Sequence, residues 1–437
     1  MKHTDIIQKL NLEQKCALLS GETVFTTRAL PGKGIPAITL SDGPNGVRKQ
    51  AGAADHLGLN PSVPATCFPT SSATACSWDE KLGEAVGEAL GEEAAAQEVA
   101  VLLGPGLNIQ RSPLCGRDFE YFSEDPILAG RMAAAYVRGI QKNGISACPK
   151  HFAVNSQELR RMASDSVLDE RTLRELYLTG FEIVVKEAKP KTIMTSYNLI
   201  NGTYANENAH LLQDILRKDW GFDGAVVTDW GGSNDHALGV KNGSTLEMPC
   251  PGGDSIRELM KAVRDGKISE ADVDARLDEM LELVLSTHAA VEKAPRTFDA
   301  AAHHKLARRA AAESIVLLRN EGGILPLKPN EKLAVIGDFA ETPRYQGAGS
   351  SAVNALQVDT LLDSIKADDS GITLVGYASG FERQGAADAE KLEEAVALAK
   401  KADTVLLCLG LDELRESEGL DRSDMKLAEN QQQLLAA

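Results

Sequence analysis

One unit recurs between residues 35 and 250: a short apolar run ends in polar residues, and a helical stretch follows it. The apolar runs are AITLSD ending at Asp42, VAVLLGPGLN (99–108), ISACPKHF (145–152), TIMTSYN (192–198), GAVVTDW (224–230) and STLEMP (244–249). The helical stretches between them include 79–98, 127–144 and 169–188. Strands that alternate with helices pair in parallel through right-handed crossovers, so the pattern predicts an α/β fold.

Polar side chains stand at the carboxyl ends of these runs. They are Asp42, Lys150, His151, Tyr197, Asp229 and Glu247. The carboxyl ends of parallel strands form the ligand face both in a (β/α) barrel and in an open doubly wound sheet. The pattern therefore predicts an enzyme-type site at this edge. It leaves the two architectures open, because six runs are fewer than the eight strands of a closed barrel.

The net charge limits the classes of binding partner that the sequence favours. A value of −17 over 437 residues disfavours nucleic acid and anionic membrane surfaces, and it fits a neutral substrate. No apolar run approaches the roughly 18 residues of a membrane span, and the N-terminus lacks the pattern of a secretion signal. The seven cysteines and eight histidines follow no CxxC or HExxH spacing. We therefore expect a cytoplasmic protein that needs no metal and no cofactor.

A second, smaller α/β unit follows the first. We place the first domain at 1–295, a linker and connecting helix at 296–319, and the second domain at 320–437. The predicted strands of the second domain are KLAVIGDF (332–339), ITLVGYASG (372–380) and TVLLCLG (404–410), with a helix at 388–402. Because the chain stops within the helical stretch NQQQLLAA, we expect this domain to be incomplete.

Each candidate group also has a structural interpretation when it is taken alone. Asp229 at a strand end is equally compatible with a helix cap or a paired core acid. The acidic stretch RESEGLDRSD (415–424) has the composition of a solvated loop. RYQGAGSS (344–351) lacks the GK[ST] of a phosphate-binding loop, and the chain has no GxSxG motif. Glycoside hydrolysis requires two carboxylates from different segments, but local motifs alone do not show that these meet.

Taken together and in order, the motifs resemble glycoside hydrolase family 3, of the β-glucosidase type. They are SDGPNGVR (41–48), FPTSSATACSWD (68–79), RSPLCGRDFEYFSEDP (111–126), CPKHFAVNSQELRRMASDSVLDERTLRELYL (148–178), IMTSYNLINGTYANEN (193–208), WGFDGAVVTDWGG (220–232), LEMPCP (246–251), RYQGAGSS (344–351) and ESEGLDRSDMKLAENQ (416–431). The β-N-acetylhexosaminidase branch has a second histidine soon after its Lys-His pair, whereas FAVNSQELRRMASDS follows that pair here. The resemblance is therefore to the β-glucosidase branch.

This resemblance implies a fold and a set of residue roles. The fold is a (β/α)8 TIM-like barrel followed by an α/β sandwich, with the active site between them. Asp229 of TDW would be the nucleophile and Glu418 of SEGLDR the general acid/base, with Glu416 as its local rival. Retaining chemistry needs the two carboxyls about 5–5.5 Å apart and an acid whose pKa is raised to about 6. The implied sugar-site residues are Asp42, Arg117, Lys150, His151, Arg161, Met194, Tyr197 and Trp230, the last by stacking on the sugar.

The resemblance also implies a second domain that continues well past SEGLDR, whereas 19 residues follow Glu418 here. We expect a truncated chain whose Glu418 loop is poorly held, whose activity is weak, and whose exposed apolar surface favours a homo-oligomer. The leading hypothesis is a retaining exo-β-glucosidase that acts on small β-glucosides or oligosaccharides. The alternatives are a β-xylosidase or other β-glycosidase, a glycoside phosphorylase with an anion site in place of the second carboxylate, and a non-catalytic sugar-binding protein.

Overall fold

The computed structural model describes residues 1–52 and 60–437. The strands of the first domain are short. They are β1 (Leu40–Asp42), β2 (Val101–Leu103), β3 (Ser146–Ala147), β4 (Asp165–Ser166), β5 (Thr192–Met194), β6 (Leu199–Ile200), β7 (Thr203–Tyr204) and β8 (Ala225–Val227). Five of the six predicted runs contain one of these strands, and the sixth, STLEMP, contributes parallel bridges at Leu246 and Glu247.

The predicted runs are neighbours in space as well as in sequence. β1, β2 and β3 form a parallel sheet in that order, and β5 pairs in parallel with β8. Single parallel bridges extend the pairing: Gly106 with Lys150, Phe152 with Thr195, Val227 with Leu246, and Ser20 with Glu247. The carboxyl ends of these segments therefore share one edge. These pairings confirm a mixed α/β fold, while the closed eight-stranded barrel stays a prediction.

Helices cover the strands, and acidic or hydroxyl side chains begin several of them. The helices are α1 (Thr4–Ile7), α2 (Leu12–Ala17), α3 (Ser71–Ala75), α4 (Glu80–Ala96), α5 (Pro126–Gln141), α6 (Glu170–Thr172), α7 (Thr179–Ile183), α8 (His236–Asn242), α9 (Gly253–Arg264), α10 (Glu270–Lys293) and α11 (Ala300–Glu313), with π-helical turns at Leu173–Tyr177, Val184–Ala188 and His210–Asp219 and 3₁₀ turns at Pro31–Lys33 and Ala205–Glu207. Asp79, Asp125 and Ser269 accept hydrogen bonds from first-turn amides of α4, α5 and α10, which satisfies otherwise unpaired donors.

Helices α4 and α5 pack with almost no space between their backbones. A Cβ atom on Gly87 would lie 2.4 Å from the carbonyl oxygen of Tyr136, and one on Gly139 would lie 2.2 Å from that of Glu84. Only glycine therefore fits at either position. Helix α5 of this pair also contacts β3, which places the pair beside the sheet formed by β1, β2 and β3.

The second domain is a small three-layer unit. Its strands β9 (Lys332–Ile336), β10 (Thr373–Ala378) and β11 (Thr404–Leu407) form a parallel sheet in the order β10-β9-β11. Its helices are α12 (Leu361–Lys366), α13 (Ala389–Ala399) and α14 (Glu429–Ala436), with 3₁₀ turns at Glu321–Gly323 and Asp338–Ala340. All three predicted strands and the predicted helix at 388–402 are confirmed. Leu434 of α14 packs with Ile336 and Phe381, so this helix closes one face of the sheet.

Two further features bear on the sequence predictions. The seven cysteines are free thiols. Within residues 1–52 and 60–437, no helix combines the length and the apolar character needed to cross a bilayer.

Candidate active site

The predicted strand-end residues lie where the sheet edge opens. Asp42 and Met194 are the last residues of β1 and β5. Lys150 and His151 follow β3, and Asp229 follows β8 by two residues. The parallel pairings place these segments side by side, so their side chains converge on one region.

A buried ionic network forms the floor of this region. The Nε and Nη2 atoms of Arg117 lie 2.8 and 2.7 Å from Oε2 of Glu120, and Nζ of Lys150 lies 3.3 Å from Oε1 of Glu120. The exposed fractions of these three side chains are only 1–2%. Burying a charge is costly unless it is paired, so Glu120 is the group that allows both cations to be buried.

Asp229 keeps one carboxylate oxygen free. Its Oδ1 accepts a hydrogen bond of 2.8 Å from the Trp230 amide, whereas Oδ2 is buried with no hydrogen-bond partner among the described residues. Nε2 of His151 lies 3.6 Å from that free oxygen. Burial raises the pKa of Asp229, and the nearby Arg117 and Arg161 oppose the rise. Oδ2 is therefore buried beside an imidazole without a hydrogen-bond partner among the described residues, and the role of Asp229 as nucleophile stays a prediction.

His151 is held as a neutral ring. Its Nδ1 lies 3.1 Å from the hydroxyl of Tyr121, and its backbone N–H donates to Oδ1 of Asn108 at 2.8 Å. Burial, together with the charges of Arg117 and Lys150, holds the pKa of His151 well below its usual range. A neutral imidazole can donate or accept a hydrogen bond without adding charge to the site.

Glu418 reaches the same region from the second domain. Nη1 of Arg161 lies 2.8 Å and Nη1 of Arg117 lies 3.6 Å from its Oε1, and the Ser350 amide donates to its Oε2 at 2.7 Å. Burial alone would raise the pKa of Glu418, but Arg117, Arg161 and Ser350 together hold it well below its usual range. This differs from the raised pKa expected of a general acid, because two guanidinium groups stabilise the ionised carboxylate.

Glu416, the local rival, faces a different partner. Its Oε2 lies 3.0 Å from Nη1 of Arg344. Glu418 contacts Arg117 and Arg161 of the first domain. The same two arginines oppose the rise in the pKa of Asp229. Glu418 is therefore the carboxylate of this loop that lies against the arginines of the first domain.

The remaining predicted residues surround this pair. The guanidinium carbon of Arg161 lies 4.9 Å from the ring centroid of Tyr197, whose hydroxyl donates to the Trp230 carbonyl at 2.9 Å. Nε1 of Trp230 donates to the Val24 carbonyl at 2.8 Å, and its ring lies 5.3 Å from that of Phe25. These contacts fix the orientation of the indole ring beside Asp229. Stacking of this ring on a sugar stays a prediction.

Asp42 and Met194 complete the predicted set. Burial raises the pKa of Asp42 to about 6, although Lys150 opposes the rise. Met194 is buried, and its carbonyl accepts the Phe152 amide at 2.7 Å, which joins the segment after β3 to β5.

Sequence reasoning missed four residues of this region. They are Glu120, Tyr121, Glu158 and Ser350. Each lies inside a motif that we quoted, yet an acid between aromatic residues and a serine in a glycine-rich stretch carry no separate signal. The i, i+3 spacings of Arg117 with Glu120 and of Glu158 with Arg161 were the available indications of ion pairs.

The fold and the site define a class: a two-domain α/β protein in which each domain contributes a carboxylate to one shared, arginine-rich site. Comparison with known families identifies that class. Residues 53–283 match the glycosyl hydrolase family 3 N-terminal domain, and residues 315–437 match the glycosyl hydrolase family 3 C-terminal domain. The chain belongs to glycosyl hydrolase family 3.

Individual relatives are longer than this chain. Thermostable beta-glucosidase B of Acetivibrio thermocellus is 46% identical over 436 residues, which is 99% of this chain and 57% of the relative. Exo-alpha-(1->6)-L-arabinopyranosidase of Bifidobacterium longum is 44% identical over 440 residues, 98% of this chain and 58% of the relative. Among solved structures, a GH3 beta-glucosidase of Bifidobacterium adolescentis matches with a TM-score of 0.90 at 42% identity, covering 98% of this chain and 61% of that one. The chain thus spans about three fifths of the length of these relatives.

Proposed function

We propose that this chain carries the active site of a retaining exo-β-glucosidase that removes terminal non-reducing β-D-glucosyl residues. One observation carries the proposal: Glu418 of the second domain pairs with Arg161, whose guanidinium lies over the ring of Tyr197, and the Tyr197 hydroxyl binds the backbone carbonyl of the residue next to Asp229. The relatives named beta-glucosidase support the same reaction. A phosphorylase would need a binding site for phosphate beside Arg117 and Arg161. The Glu418 carboxylate already contacts both arginines, which disfavours a phosphorylase.

In the first step, we assign the attack to Oδ2 of Asp229, because it is the oxygen without a hydrogen-bond partner among the described residues. A bond forms between this oxygen and the anomeric carbon, and the bond from that carbon to the leaving-group oxygen breaks. The proton of the Glu418 carboxyl moves to the departing oxygen. The product of this half-reaction is a glycosyl ester of Asp229.

In the second step, the ionised Glu418 takes a proton from water, and the water oxygen bonds to the anomeric carbon. The ester bond to Asp229 breaks and its carboxylate is restored, so two inversions give net retention. The ionised form of Glu418 is the form that accepts this proton, and weakening of its arginine contacts would also strengthen it as a base.

The first step requires a protonated Glu418, so one of its ion pairs must weaken. The Arg161 side chain is 21% exposed, whereas that of Arg117 is 1% exposed and bound to Glu120. We propose that the contact between Arg161 and Glu418 lengthens when a glycoside enters, while Arg161 stays paired with Glu158, and that this raises the pKa of Glu418 toward that of a working acid.

The other predicted residues would bind the sugar itself. Asp42, Arg117 and Lys150 present charged groups suited to the hydroxyls of a neutral glycone. His151 and Tyr197 flank the nucleophile. We also propose the predicted domain bounds, 1–295, 296–319 and 320–437, and a (β/α)8 arrangement for the first domain, since the parallel segments adjoin in chain order.

The test is hydrolysis of 4-nitrophenyl β-D-glucoside by the wild-type chain and by Asp229→Ala, with the product anomer followed by NMR. Wild type should release β-glucose first, and Asp229→Ala should be inactive. Glu418→Ala should lose most of its activity on the same substrate. Glu416→Ala is its matched control and should retain activity, because Glu416 pairs with Arg344. Glucose binding without turnover in wild type would instead support a non-catalytic sugar-binding protein.

A second glycone is favoured by a specific relative, the exo-alpha-(1->6)-L-arabinopyranosidase at 44% identity. Arabinopyranose, like xylopyranose, lacks the hydroxymethyl group of glucose. A pocket with a binding site for the hydroxymethyl group favours glucosides over pentosides by roughly 1–3 kcal/mol in transition-state binding. A pocket without such a binding site accepts the pentosides as well. Comparing kcat/KM for 4-nitrophenyl β-D-glucoside, β-D-xyloside and α-L-arabinopyranoside decides among the three.

A further inference from the structure

Two loops from different domains, 156–161 and 417–422, are joined by hydrogen bonds next to Glu418. Oδ1 of Asp421 accepts the Gly116 amide at 3.2 Å and the Glu158 amide at 2.9 Å. Its Oδ2 accepts the Leu159 amide at 2.8 Å and the Glu158 amide at 3.1 Å. One carboxylate of the second domain therefore receives three backbone N–H groups of the first domain.

The contact is reciprocal. Oε2 of Glu158 accepts the Gly419 amide at 2.8 Å, so a carboxylate of the first domain also holds the backbone of the second-domain loop. The same oxygen accepts a hydrogen bond from Nη1 of Arg161 at 2.8 Å, and that nitrogen also donates to Oε1 of Glu418 at 2.8 Å. A continuous chain of contacts thus runs from Gly419 through Glu158 and Arg161 to Glu418.

Close backbone approach leaves this loop little freedom. A Cβ atom on Gly116 would lie 1.7 Å from the Leu420 carbonyl oxygen, and one on Gly349 would lie 2.4 Å from Cβ of Glu418. Gly349 also has φ of +112°, which other residues rarely adopt. The loop around Glu418 is therefore confined on both sides, in contrast to the poorly held loop expected from the sequence.

Glu158 is placed at some cost. Its side chain is 1% exposed, and its Oε1 atom is buried without a hydrogen-bond partner among the described residues. A buried carboxylate with one unpaired oxygen is unfavourable unless it is needed for another purpose. The two domains also contact each other without burying a charge: the Asn354 side chain donates a hydrogen bond to the Ser62 carbonyl at 2.9 Å.

We propose that Asp421 and Glu158 are positioning residues that seat Glu418 for proton transfer, forming a reciprocal clasp between the loops at 156–161 and 417–422. This inference rests on the proposed function, in which Glu418 is the general acid/base. A displacement of about 1 Å in a reacting group costs on the order of 10²-fold in rate. Opening the clasp should therefore impair the steps that need Glu418 and spare attack by Asp229.

Leaving-group dependence separates positioning from stability. Phenyl β-D-glucoside needs an acid to expel its aglycone, whereas 2,4-dinitrophenyl β-D-glucoside does not, and azide can replace the water that Glu418 would activate. We would compare wild type, Asp421→Ala, Glu158→Gln and Glu418→Ala on both substrates. Asp421→Asn, which keeps one acceptor oxygen, serves as the conservative variant.

The matched control is Asp359→Asn. Oδ2 of Asp359 accepts from Nε2 of His304 at 3.0 Å and lies 3.3 Å from Nε of Arg308, so it joins the second domain to helix α11 away from Glu418. Thermal unfolding of every variant would show which ones are folded at the assay temperature. Glu158→Gln keeps the size of the side chain, so it remains informative where Asp421→Ala unfolds.

The expected result is selective loss. Asp421→Ala and Glu158→Gln should lose about 10²-fold in kcat/KM on the phenyl glucoside and less than about tenfold on the dinitrophenyl glucoside. Azide should accelerate the turnover of the dinitrophenyl glucoside by Asp421→Ala and Glu158→Gln and should yield β-glucosyl azide, as for Glu418→Ala. On the phenyl glucoside, the kcat/KM of Asp421→Asn should lie between those of wild type and Asp421→Ala. Asp359→Asn should match wild type on both substrates.

Equal losses on both substrates, or no azide effect in folded variants, would overturn the clasp as a positioning device. An active wild type whose Glu418→Ala variant shows no leaving-group selectivity would overturn the acid/base assignment instead. An inactive wild type would overturn the proposed function, so the three failures are distinct.

Discussion

The two domains build their halves of the site in different ways. The first domain has one large apolar core, and its charged groups Arg117, Glu120 and Lys150 are 1–2% exposed and paired with one another. The second domain has two small clusters of five and four buried residues, and its contribution, Glu418, is 16% exposed on a loop. The proposed nucleophile therefore lies in a large packed core, whereas the position of the proposed acid/base depends on how its loop contacts the first domain.

The largest expected effect separates these halves by chemistry. Asp229→Ala should lower kcat by about 10⁴-fold or more on every β-glucoside, because no bond to the anomeric carbon can form. Glu418→Ala should be equally damaging on phenyl β-D-glucoside but much milder in the pre-steady-state burst with 2,4-dinitrophenyl β-D-glucoside. Rapid-quench kinetics on both substrates measures this. Identical profiles for the two variants would contradict the division of labour.

The next effect tests the rigidity of the first half. Glu120→Gln removes the carboxylate that pairs with both Arg117 and Lys150, and leaving buried cations unpaired costs about 3–5 kcal/mol of unfolding free energy. Urea unfolding measures this loss. Glu187→Gln is the control, because Glu187 pairs with Arg131 at 2.9 Å on the surface and should cost under about 1 kcal/mol. Equal stabilities would show that the network does not support the scaffold.

The sequence predicted the scaffold better than the docking. The strand runs were recognisable because apolar residues followed by a polar end have a period and a length, and Asp42, Lys150 and Asp229 lie at the ends where they were expected. The contacts of Glu418 depend on Arg117, Arg161 and Ser350, which only the tertiary structure brings next to it. Its lowered pKa was likewise unpredictable, since it results from two arginines that lie 257 or more positions away in sequence.

The third effect concerns how the buried carboxyl of Asp42 in the first domain changes the free energy of unfolding with pH. The pKa of Asp42 is raised to about 6 from 3.8, so the folded state holds its proton more tightly than the unfolded state does. Its favourable contribution is therefore complete below pH 3.8 and is lost as pH rises through about 6. Asp42→Asn should raise the unfolding free energy at pH 7 by at most about 3 kcal/mol while lowering kcat/KM. Urea unfolding at pH 4 and pH 7 measures this, and a gain of equal size at both would contradict the stated origin.

The smallest effect on the free energy of unfolding, and the clearest effect on self-association, concerns the junction between the connecting segment and the second domain. Six apolar residues of this junction are strongly exposed: Ile315 80%, Val316 54%, Leu317 61%, Leu318 91%, Ile324 58% and Leu325 46%. Contiguous exposed apolar groups of this kind favour association between molecules.

Leu318→Ser should therefore reduce self-association, measured by sedimentation velocity across a concentration series, while changing the unfolding free energy by less than about 0.5 kcal/mol. Ile127→Ser is the control, because Ile127 is 53% exposed at the start of α5 in the first domain and is not part of such a stretch. If the two variants sediment alike, the exposed stretch does not drive association. If Leu318→Ser also lowers the free energy of unfolding, Leu318 is engaged in packing, and the connecting segment contributes more to the fold than its exposed fractions indicate.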